Sequence, residues 1–201
     1  MSLEQINKIL DYWLANSDQS VEELTKQNKL WFVKNPDTDL FIKNNFEADI
    51  IKAKKGLYDS WKSSPQGNLA LIILFDQFTR NIYRNTENSF ATDPLALQIS
   101  QNIVSSKKDE DYSLIQRVFI YLPFEHSEDI KMQETSLTLF TKLKEQASHP
   151  FQNYLNGTLN YAISHYDIIK RFGRFPHRNI ILERESTTEE IDFLNQPGSS
   201  F

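Results

Sequence analysis

The most apolar stretch of the chain is Leu69-Ala-Leu-Ile-Ile-Leu-Phe-Asp-Gln-Phe78. A helix drawn through it is apolar on nearly every face, which is typical of an element buried on all sides. A continuous apolar run is also compatible with a buried strand, but its length and the absence of strand-type turn residues around it favour a helix. We therefore predict a central helix, capped by Asn68, around which the other elements pack.

Helix starts are indicated at several positions outside this stretch. Ser20 with Glu23 and Thr187 with Glu190 match the capping-box pattern, in which each cap residue and the third helical residue satisfy each other's backbone N–H groups. Pro94 follows an aspartate and suits the first helical position, where its missing N–H removes no hydrogen bond. The apolar residues that follow these signals recur at helical spacing.

Helix ends and breaks are indicated as well. Gly56 and Gly173 are expected to end helices, because glycine adopts the left-handed conformation common at C-termini. Pro123 is expected to end a helix at Leu122, and Ser127 to cap the next one. Gly157, inside the last long helix, suggests a close helix crossing. With no run of alternating strand character, the pattern predicts an all-α fold of about eight helices packed as antiparallel hairpins.

Length and composition limit the classes of function. The 201 residues fit a single domain, 1–201, with a loose tail at about 196–201. The net charge of −5, the pI of about 5.4 and the lack of a long basic run argue against nucleic-acid binding. Without cysteine, disulfides and thiolate metal sites are excluded. No signal-like N-terminus or bilayer-length apolar run is present, so we expect a cytoplasmic protein without membrane contact.

Charge reverses sign locally in the segment 165–179. It holds four basic residues and one acidic residue, a net charge of +3 in an acidic chain. Arg171, Arg174 and Arg178 lie on either side of Gly173 and Pro176, so they are expected on a rigid turn. Guanidinium groups held in this way suit two-point binding of carboxylate or phosphate. The alternative is that they bind the protein's own carboxylates and clamp the last long helix onto the core.

Two further segments place polar groups on helices that otherwise look buried. Asp76, Arg80 and Arg84 are four residues apart and share one helix face, so an internal ion pair is a natural alternative to a functional role. The segment 122–133 adds a second set, whose carboxylates are also favoured simply by the helix dipole. The dipole does not explain the histidine among them. This second set consists of Glu125, His126, Glu128, Asp129 and Gln133.

Three long motifs together resemble a known family. They are Gly67–Arg84, Tyr121–Asp129 and Arg171–Asn179, in this order. The chain is similar to the bacterial domain of unknown function numbered 924, and shorter matches extend the similarity over nearly the whole sequence. The resemblance implies a single all-helical domain of the tetratricopeptide-like superfamily and implies no activity. Three positions depart from the family pattern: Thr79 replaces a usual Pro, Glu125 an apolar residue such as Met, and Glu183 an expected Gly.

Three functions remain open from the sequence. The leading one is binding of a small anionic ligand, bearing phosphate or carboxylate, without a cofactor or a metal. A hydrolase is the second, in which His126 or His165 acts as general base or as a metal ligand together with Asp129 or Glu128. An interaction module that binds a protein partner, with a purely structural arginine–carboxylate network, is the third; the oligomeric state is not indicated.

The candidate residues fall into three groups. The ligand-binding candidates are Arg80, Arg84, Arg171, Arg174, His177 and Arg178. The catalytic candidates are His126, Asp129 and His165. The residues expected to form a polar network around them are Asp76, Glu128, Gln133 and Asn179.

Overall fold

The computed structural model describes residues 2–147 and 149–199, and within these ranges the regular structure is entirely helical. The α-helices are α1 (Ser2–Trp13), α2 (Val21–Phe32), α3 (Pro36–Lys54), α4 (Pro65–Ile72), α5 (Thr79–Ile82), α6 (Asp93–Ser105), α7 (Leu114–Glu125), α8 (Ile130–Glu145), α9 (Gln152–Phe172) and α10 (Thr188–Leu194). Short 3₁₀ turns occupy Asp59–Ser63, Glu87–Ser89, Asp109–Asp111, His149–Phe151 and Pro176–Arg178. The all-α prediction is confirmed.

The predicted central helix is longer than its apolar stretch. It begins at Pro65, because Ser64 rather than Asn68 caps it by accepting a hydrogen bond from Gly67 N at 3.1 Å. Gly67 is required there, since a Cβ at this position would lie 2.1 Å from the carbonyl oxygen of Trp61. The helix passes from α4 through a π-helical segment, Ile73–Phe78, into α5.

The core surrounds this central element. Ile72, Ile73 and Leu74 are fully buried, and the segment contacts α1, α3, α6 and α7. Aromatic rings fill the space between them: the Phe78 ring lies 5.2 Å from the Trp13 ring and 4.8 Å from the Phe46 ring, measured between centroids. The apolar stretch therefore lies at the centre of the fold, as predicted.

The C-terminal half is built from helices packed side by side. α8 packs against α7 on one side and against α9 on the other, and short loops join the three. This packing agrees with the predicted helical hairpins. It brings the C-terminal end of α7, with Glu125 and His126, close to the C-terminal half of α9, which carries His165.

Several predicted boundaries are confirmed. Ser20 caps α2 and Thr187 forms a capping box with Glu190 at α10. Pro94 lies in the first turn of α6. Gly173 ends α9 with φ of 70°, the left-handed conformation expected of it.

Other boundaries differ from the prediction. α7 continues through Pro123 to Glu125: the proline removes one backbone hydrogen bond, and the burial of the surrounding residues in the core keeps the helix intact. The cap of α8 is Asp129 instead of Ser127, with its side chain accepting from Lys131 N at 2.7 Å. Gly157 marks no close crossing, since nothing lies within 4 Å of an added Cβ.

Two further expectations concern membrane spans and the C-terminal tail. None of the helices within residues 2–147 and 149–199 combines the length and apolar character that crossing a membrane requires. In the predicted loose tail, Ser199 is buried and its hydroxyl donates to Leu194 O at 3.1 Å. Ser200 and Phe201 lie outside the described residues.

Candidate functional site

The π-helical segment positions the first of the candidate side chains. Such segments widen the helix by one residue per turn and are frequent at functional sites. Here the carbonyl of Phe75 accepts hydrogen bonds from two hydroxyls, Thr79 Oγ1 at 2.9 Å and Thr92 Oγ1 at 2.6 Å. These bonds hold the widened turn in place, and Asp76 lies within it, fully buried in the core.

Asp76 contacts a histidine of another helix. Its Oδ1 atom lies 2.7 Å from Nδ1 of His126, the residue that follows α7. Gln77 donates to the other oxygen at 2.5 Å, and Nη1 of Arg80 lies 3.3 Å from Oδ1. The buried carboxyl group therefore has polar partners on both oxygens.

The protonation of this pair follows from its surroundings. Burial alone would raise the pKa of Asp76, but the charge of Arg80 and the hydrogen bond from His126 together lower it. Burial and the charge of Arg80 lower the pKa of His126. An ionised carboxylate accepts only, so the imidazole carries its proton on Nδ1 and the lone pair on Nε2. Within the described residues, no hydrogen bond is made by Nε2, and the side chain is 14% exposed.

Arg80 is fully engaged by a second aspartate. Its two terminal nitrogens donate to the two oxygens of Asp93 at 2.9 and 3.0 Å, and Nη1 also donates to the carbonyl of Asp76 at 2.6 Å. This is a two-point guanidinium–carboxylate pair between α5 and the start of α6. Arg80 therefore orients Asp76 and Asp93 and has little capacity left for an external anion.

Arg178 is held differently. Its guanidinium group lies between the rings of Phe90 and Phe175, 4.5 Å from each ring centroid. Nη2 donates to the carbonyl of His126 at 3.1 Å, but Nη1 is 3.7 Å from Asp93, and the buried Nε has no hydrogen-bond partner among the described residues. Burial and the charge of Arg80 lower the pKa of Arg178 to about 10. It remains cationic at neutral pH and is incompletely paired.

Glu125 and His165 form a second pair of a carboxyl group and an imidazole. Oε1 of Glu125 lies 3.3 Å from Nδ1 of His165, and both side chains are buried. The ring of His165 lies 6.2 Å from that of His126. Burial and the charge of Asp76 raise the pKa of Glu125 to about 8, and burial lowers the pKa of His165 to about 3.

His177 completes the histidines of this region. Its ring lies 5.6 Å from that of Phe175, and burial together with the charge of Arg178 lowers its pKa to about 4. We call the buried group around the π-helical segment the central cluster. It consists of Asp76, Arg80, Asp93, Glu125, His126, His165, His177 and Arg178.

The other arginines of the basic segment bind glutamates at the C-terminal end. Arg174 makes a two-point pair with Glu190, at 2.7 and 2.8 Å, and the hydrogen bond from Arg174 lowers the pKa of Glu190 to about 2. Arg171 donates to the exposed Glu189 at 2.9 Å. These contacts hold α10 against the end of α9.

A third arginine, Arg184, extends these contacts. It makes a two-point pair with Glu128 at 2.7 and 3.0 Å, and Glu128 also accepts from Phe175 N at 2.8 Å. Asn179 accepts from Arg184 at 3.0 Å and donates to Ser186. We call the whole group the C-terminal clamp. It consists of Glu128, Arg171, Arg174, Asn179, Arg184, Glu189 and Glu190.

Comparison with known proteins identifies the family. Residues 9–198 match the model of a family described as bacterial protein of unknown function (DUF924). The chain belongs to this family. Its fold is similar to a solved structure described as a protein of unknown function, ATU0120 from Agrobacterium tumefaciens, with a TM-score of 0.81 and 35% identity over 97% of this chain and 99% of that one. No curated protein matches.

The structure gives physical meaning to the three departures from the DUF924 pattern. Thr79 supplies a hydroxyl to the carbonyl of Phe75, which a proline could not do. Glu183 has φ of 52°, the left-handed conformation in which the expected glycine would be unstrained. Glu125 is buried beside Asp76, where an apolar side chain would carry no ionisable group.

The remaining predicted residues are not members of the central cluster, and one of them, Gln133, hydrogen-bonds the turn that carries His126. Arg84 pairs with Asp39 of α3, with Nη2 donating at 3.0 Å. Asp129 is exposed and caps α8, as described above. Gln133 donates to the carbonyls of Glu125 and Ser127, both at 2.6 Å, and so fixes the turn that carries His126.

Two residues of this region carry no functional signal in the sequence. Asp93, a member of the central cluster, is predicted only as part of a helix start, and Phe90, whose ring packs on Arg178, is not among the candidates. Their position is set by the loop between α5 and α6, which gives no periodic signal. Within the described ranges, no group of three or more His, Asp or Glu side chains has the geometry to hold a metal ion.

Proposed function

We propose that this protein is a hydrolytic enzyme acting on a small anionic substrate, with His126 as the general base. The observation that carries the proposal is the 2.7 Å contact between Asp76 Oδ1 and His126 Nδ1. A carboxylate in that position fixes the tautomer and ring orientation of the imidazole and stabilises the imidazolium that forms during proton transfer. Nε2 is then available to accept a proton from water.

The surroundings of His126 support a role as a base at neutral pH. Burial and the charge of Arg80 lower the pKa of the imidazole, which favours its unprotonated form at neutral pH. The turn that carries it is fixed by Gln133 and by the hydrogen bond from Arg178 to the His126 carbonyl. A base must be correctly placed before its pKa matters, and here both conditions are met.

The state of Arg178 is the reason for proposing an anionic substrate. Its guanidinium plane is fixed between two rings, adjacent to His126, while its Nε and Nη1 groups lack close carboxylate partners. A planar donor held in this state suits a carboxylate or phosphate group. Arg80, in contrast, already donates both of its terminal nitrogens to Asp93.

A pair of matched esters tests the proposal: 4-acetoxybenzoate, which is anionic, and its neutral methyl ester. We expect the wild type to hydrolyse the anionic ester faster relative to the uncatalysed rate. His126→Gln should lower both rates by about 100-fold or more, as for loss of a general base. Arg178→Gln or Arg178→Lys should remove only the preference for the anion. His149→Gln, at an exposed site, is the matched control.

A second candidate is binding of an anion without chemistry, favoured by the incomplete pairing of Arg178. It predicts thermal stabilisation by benzoate or inorganic phosphate, lost in Arg178→Gln, with no hydrolysis of either ester. Hydrolysis that is no faster than with an equal concentration of free imidazole, or that survives in His126→Gln, contradicts the proposal that His126 is the general base of a hydrolase.

A further inference from the structure

Glu125 differs from the other buried carboxyl groups of the described chain. Asp76 has Arg80 and His126, Asp109 has Arg117, and Glu190 has Arg174 within 4 Å. Asp49 accepts hydrogen bonds from Gln5 and Tyr58. For Glu125 the structure shows no arginine or lysine within that distance among residues 2–147 and 149–199, although its side chain is only 4% exposed.

The nearest polar group cannot compensate a charge on Glu125. His165 Nδ1 lies 2.8 Å from the carbonyl oxygen of Tyr161, and a carbonyl only accepts, so Nδ1 carries a proton. Burial lowers the pKa of His165 to about 3, so the ring is neutral at pH 7. The same N–H is 3.3 Å from Glu125 Oε1, a weak additional contact. An ionised carboxylate buried without a cationic partner is strongly disfavoured.

A second buried charge makes ionisation of Glu125 still less favourable. Asp76 is ionised and lies in the same cluster, and its charge acts in the same direction as burial. The two arginines of the cluster are balanced in charge by its two aspartates, because Arg80 faces Asp76 and Asp93 and Arg178 faces Asp93. The titratable and charged groups that surround Glu125 are Asp76, Arg80, Asp93, His126, His165, His177 and Arg178.

We infer that Glu125 holds a proton in the resting protein and that loss of this proton closes the site to anionic substrates. With Glu125 neutral, two aspartates balance two arginines. When Glu125 ionises, the cluster gains a net negative charge beside His126 and Arg178, and an anion is repelled. Glu125 is thus a positioning residue that acts through the charge of the site. The inference rests on the proposed function, since it concerns the same substrate.

The proton itself can be observed without any substrate. In the full-length protein labelled with ¹³C at the glutamate carboxyl carbon, we expect one resonance to titrate with a midpoint near pH 8, the value to which burial raises the pKa of Glu125. That resonance should be absent in Glu125→Gln and present in Glu134→Gln, a matched change at an exposed position of α8. If every glutamate titrates below pH 6, the inference is wrong, whatever the protein binds.

The effect on substrates is measured with the same two esters. In the wild type, the ratio of the rate for 4-acetoxybenzoate to the rate for its methyl ester should fall about tenfold between pH 7 and pH 9.5, as expected for a new charge within a few ångströms. In Glu125→Gln, and in Glu125→Met if the amide folds poorly, the ratio should stay constant. Glu134→Gln should follow the wild type.

The possible outcomes separate the two proposals. If the ratio of the two ester hydrolysis rates falls equally in wild type and Glu125→Gln, the gating role of Glu125 is wrong, and the proposed hydrolytic function is unaffected. A wild type that hydrolyses neither ester overturns the proposed function and, with it, the gating of substrates. In that case the carboxyl titration still decides whether Glu125 holds its proton.

Discussion

The central cluster and the C-terminal clamp are both made of arginines and carboxylates, yet they differ in how these groups are matched. In the clamp, Arg174 and Arg184 each make a two-point pair with a glutamate. In the central cluster, Arg178 is incompletely paired and Glu125 faces no cation among the described residues. The comparison shows that a high density of arginine does not by itself mark a site. Incomplete pairing in a buried position is the more informative sign.

Removing a carboxylate from the central cluster should have the largest effect. Asp76→Ala leaves the imidazole of His126 without its acceptor and Arg80 with a reduced set of partners in the core. We expect the free energy of unfolding to fall by about 3–5 kcal/mol, the range found when one partner of a buried pair is removed. Urea unfolding at pH 7 measures it, with the exposed Glu134→Ala as control. A loss below about 1 kcal/mol would show that the pair is not a buried ionic contact.

Replacing Glu125, which has no cationic partner among the described residues, should raise the free energy of unfolding instead of lowering it. The folded protein keeps the proton of Glu125, whereas the unfolded chain releases it above the ordinary pKa near 4.5. Stability from this group is therefore complete below about pH 4.5 and is lost as pH rises towards 8, by up to about 1.4 kcal/mol per unit of pH. Glu125→Met should exceed the wild type in stability by about 2 kcal/mol or more at pH 8.

The same variant should show a smaller advantage at pH 5. Urea unfolding at several pH values measures the difference, and Glu134→Met serves as the exposed control. A difference between Glu125→Met and wild type that is constant with pH would mean that Glu125 titrates normally in the folded state.

A change in the inner part of the clamp should have a moderate effect. Arg184→Ala removes a two-point pair with Glu128 and leaves that carboxylate with only the N–H of Phe175. Because both side chains are about a quarter exposed, water replaces part of the interaction. We expect a loss of about 1 kcal/mol in urea unfolding, with little change in ester hydrolysis. A loss as large as that of Asp76→Ala would remove the distinction between the two regions.

A change at the outer edge of the clamp should have the smallest effect. Arg171 and Glu189 are 49% and 62% exposed, and pairs of this kind contribute about 0.5 kcal/mol or less. Arg171→Ala should therefore unfold within about 0.5 kcal/mol of the wild type, and 1 M salt should reduce the difference further. A larger, salt-independent loss would indicate that the guanidinium group of Arg171 contributes by stacking on Phe172, whose ring centroid is 4.6 Å from the guanidinium carbon.

The sequence was sufficient to predict the helices because their signals are local. The continuous apolar run of residues 69–78 identifies the central element, and the predicted caps at Ser20 and Thr187 are confirmed. The prediction that Pro123 ends α7 is wrong, because tolerance of a proline depends on how well the surrounding residues pack in the core, which is not visible in the local sequence. The close approach of Gly67 to Trp61 was not predicted either, since it depends on the path of the preceding turn.

The candidate site was only partly predictable. His126, His165 and Arg178 were singled out and meet in the central cluster, but the pairing of each arginine required the fold. Arg171, Arg174 and Arg178 lie within eight residues of one another in the sequence, yet only Arg178 turns inward. The loop that carries Phe90 and leads to Asp93, the first residue of α6, gives no periodic pattern, so the contribution of these two residues could not be inferred.

The π-helical segment has a consequence for how the length of this chain can vary in evolution. A π-helical turn holds one residue more than the α-helical turn it replaces, so removing one residue between Ile73 and Phe78 would give an ordinary α-helix and leave the residues on either side nearly in register. Arg80 would still face Asp93, and Arg84 would still face Asp39. A deletion in the regular helix α4 would instead rotate everything after it by about 100° about the helix axis and turn both arginines away from these partners. Loss of a single codon is therefore tolerable in the π-helical segment in a way that it is not in the helix before it.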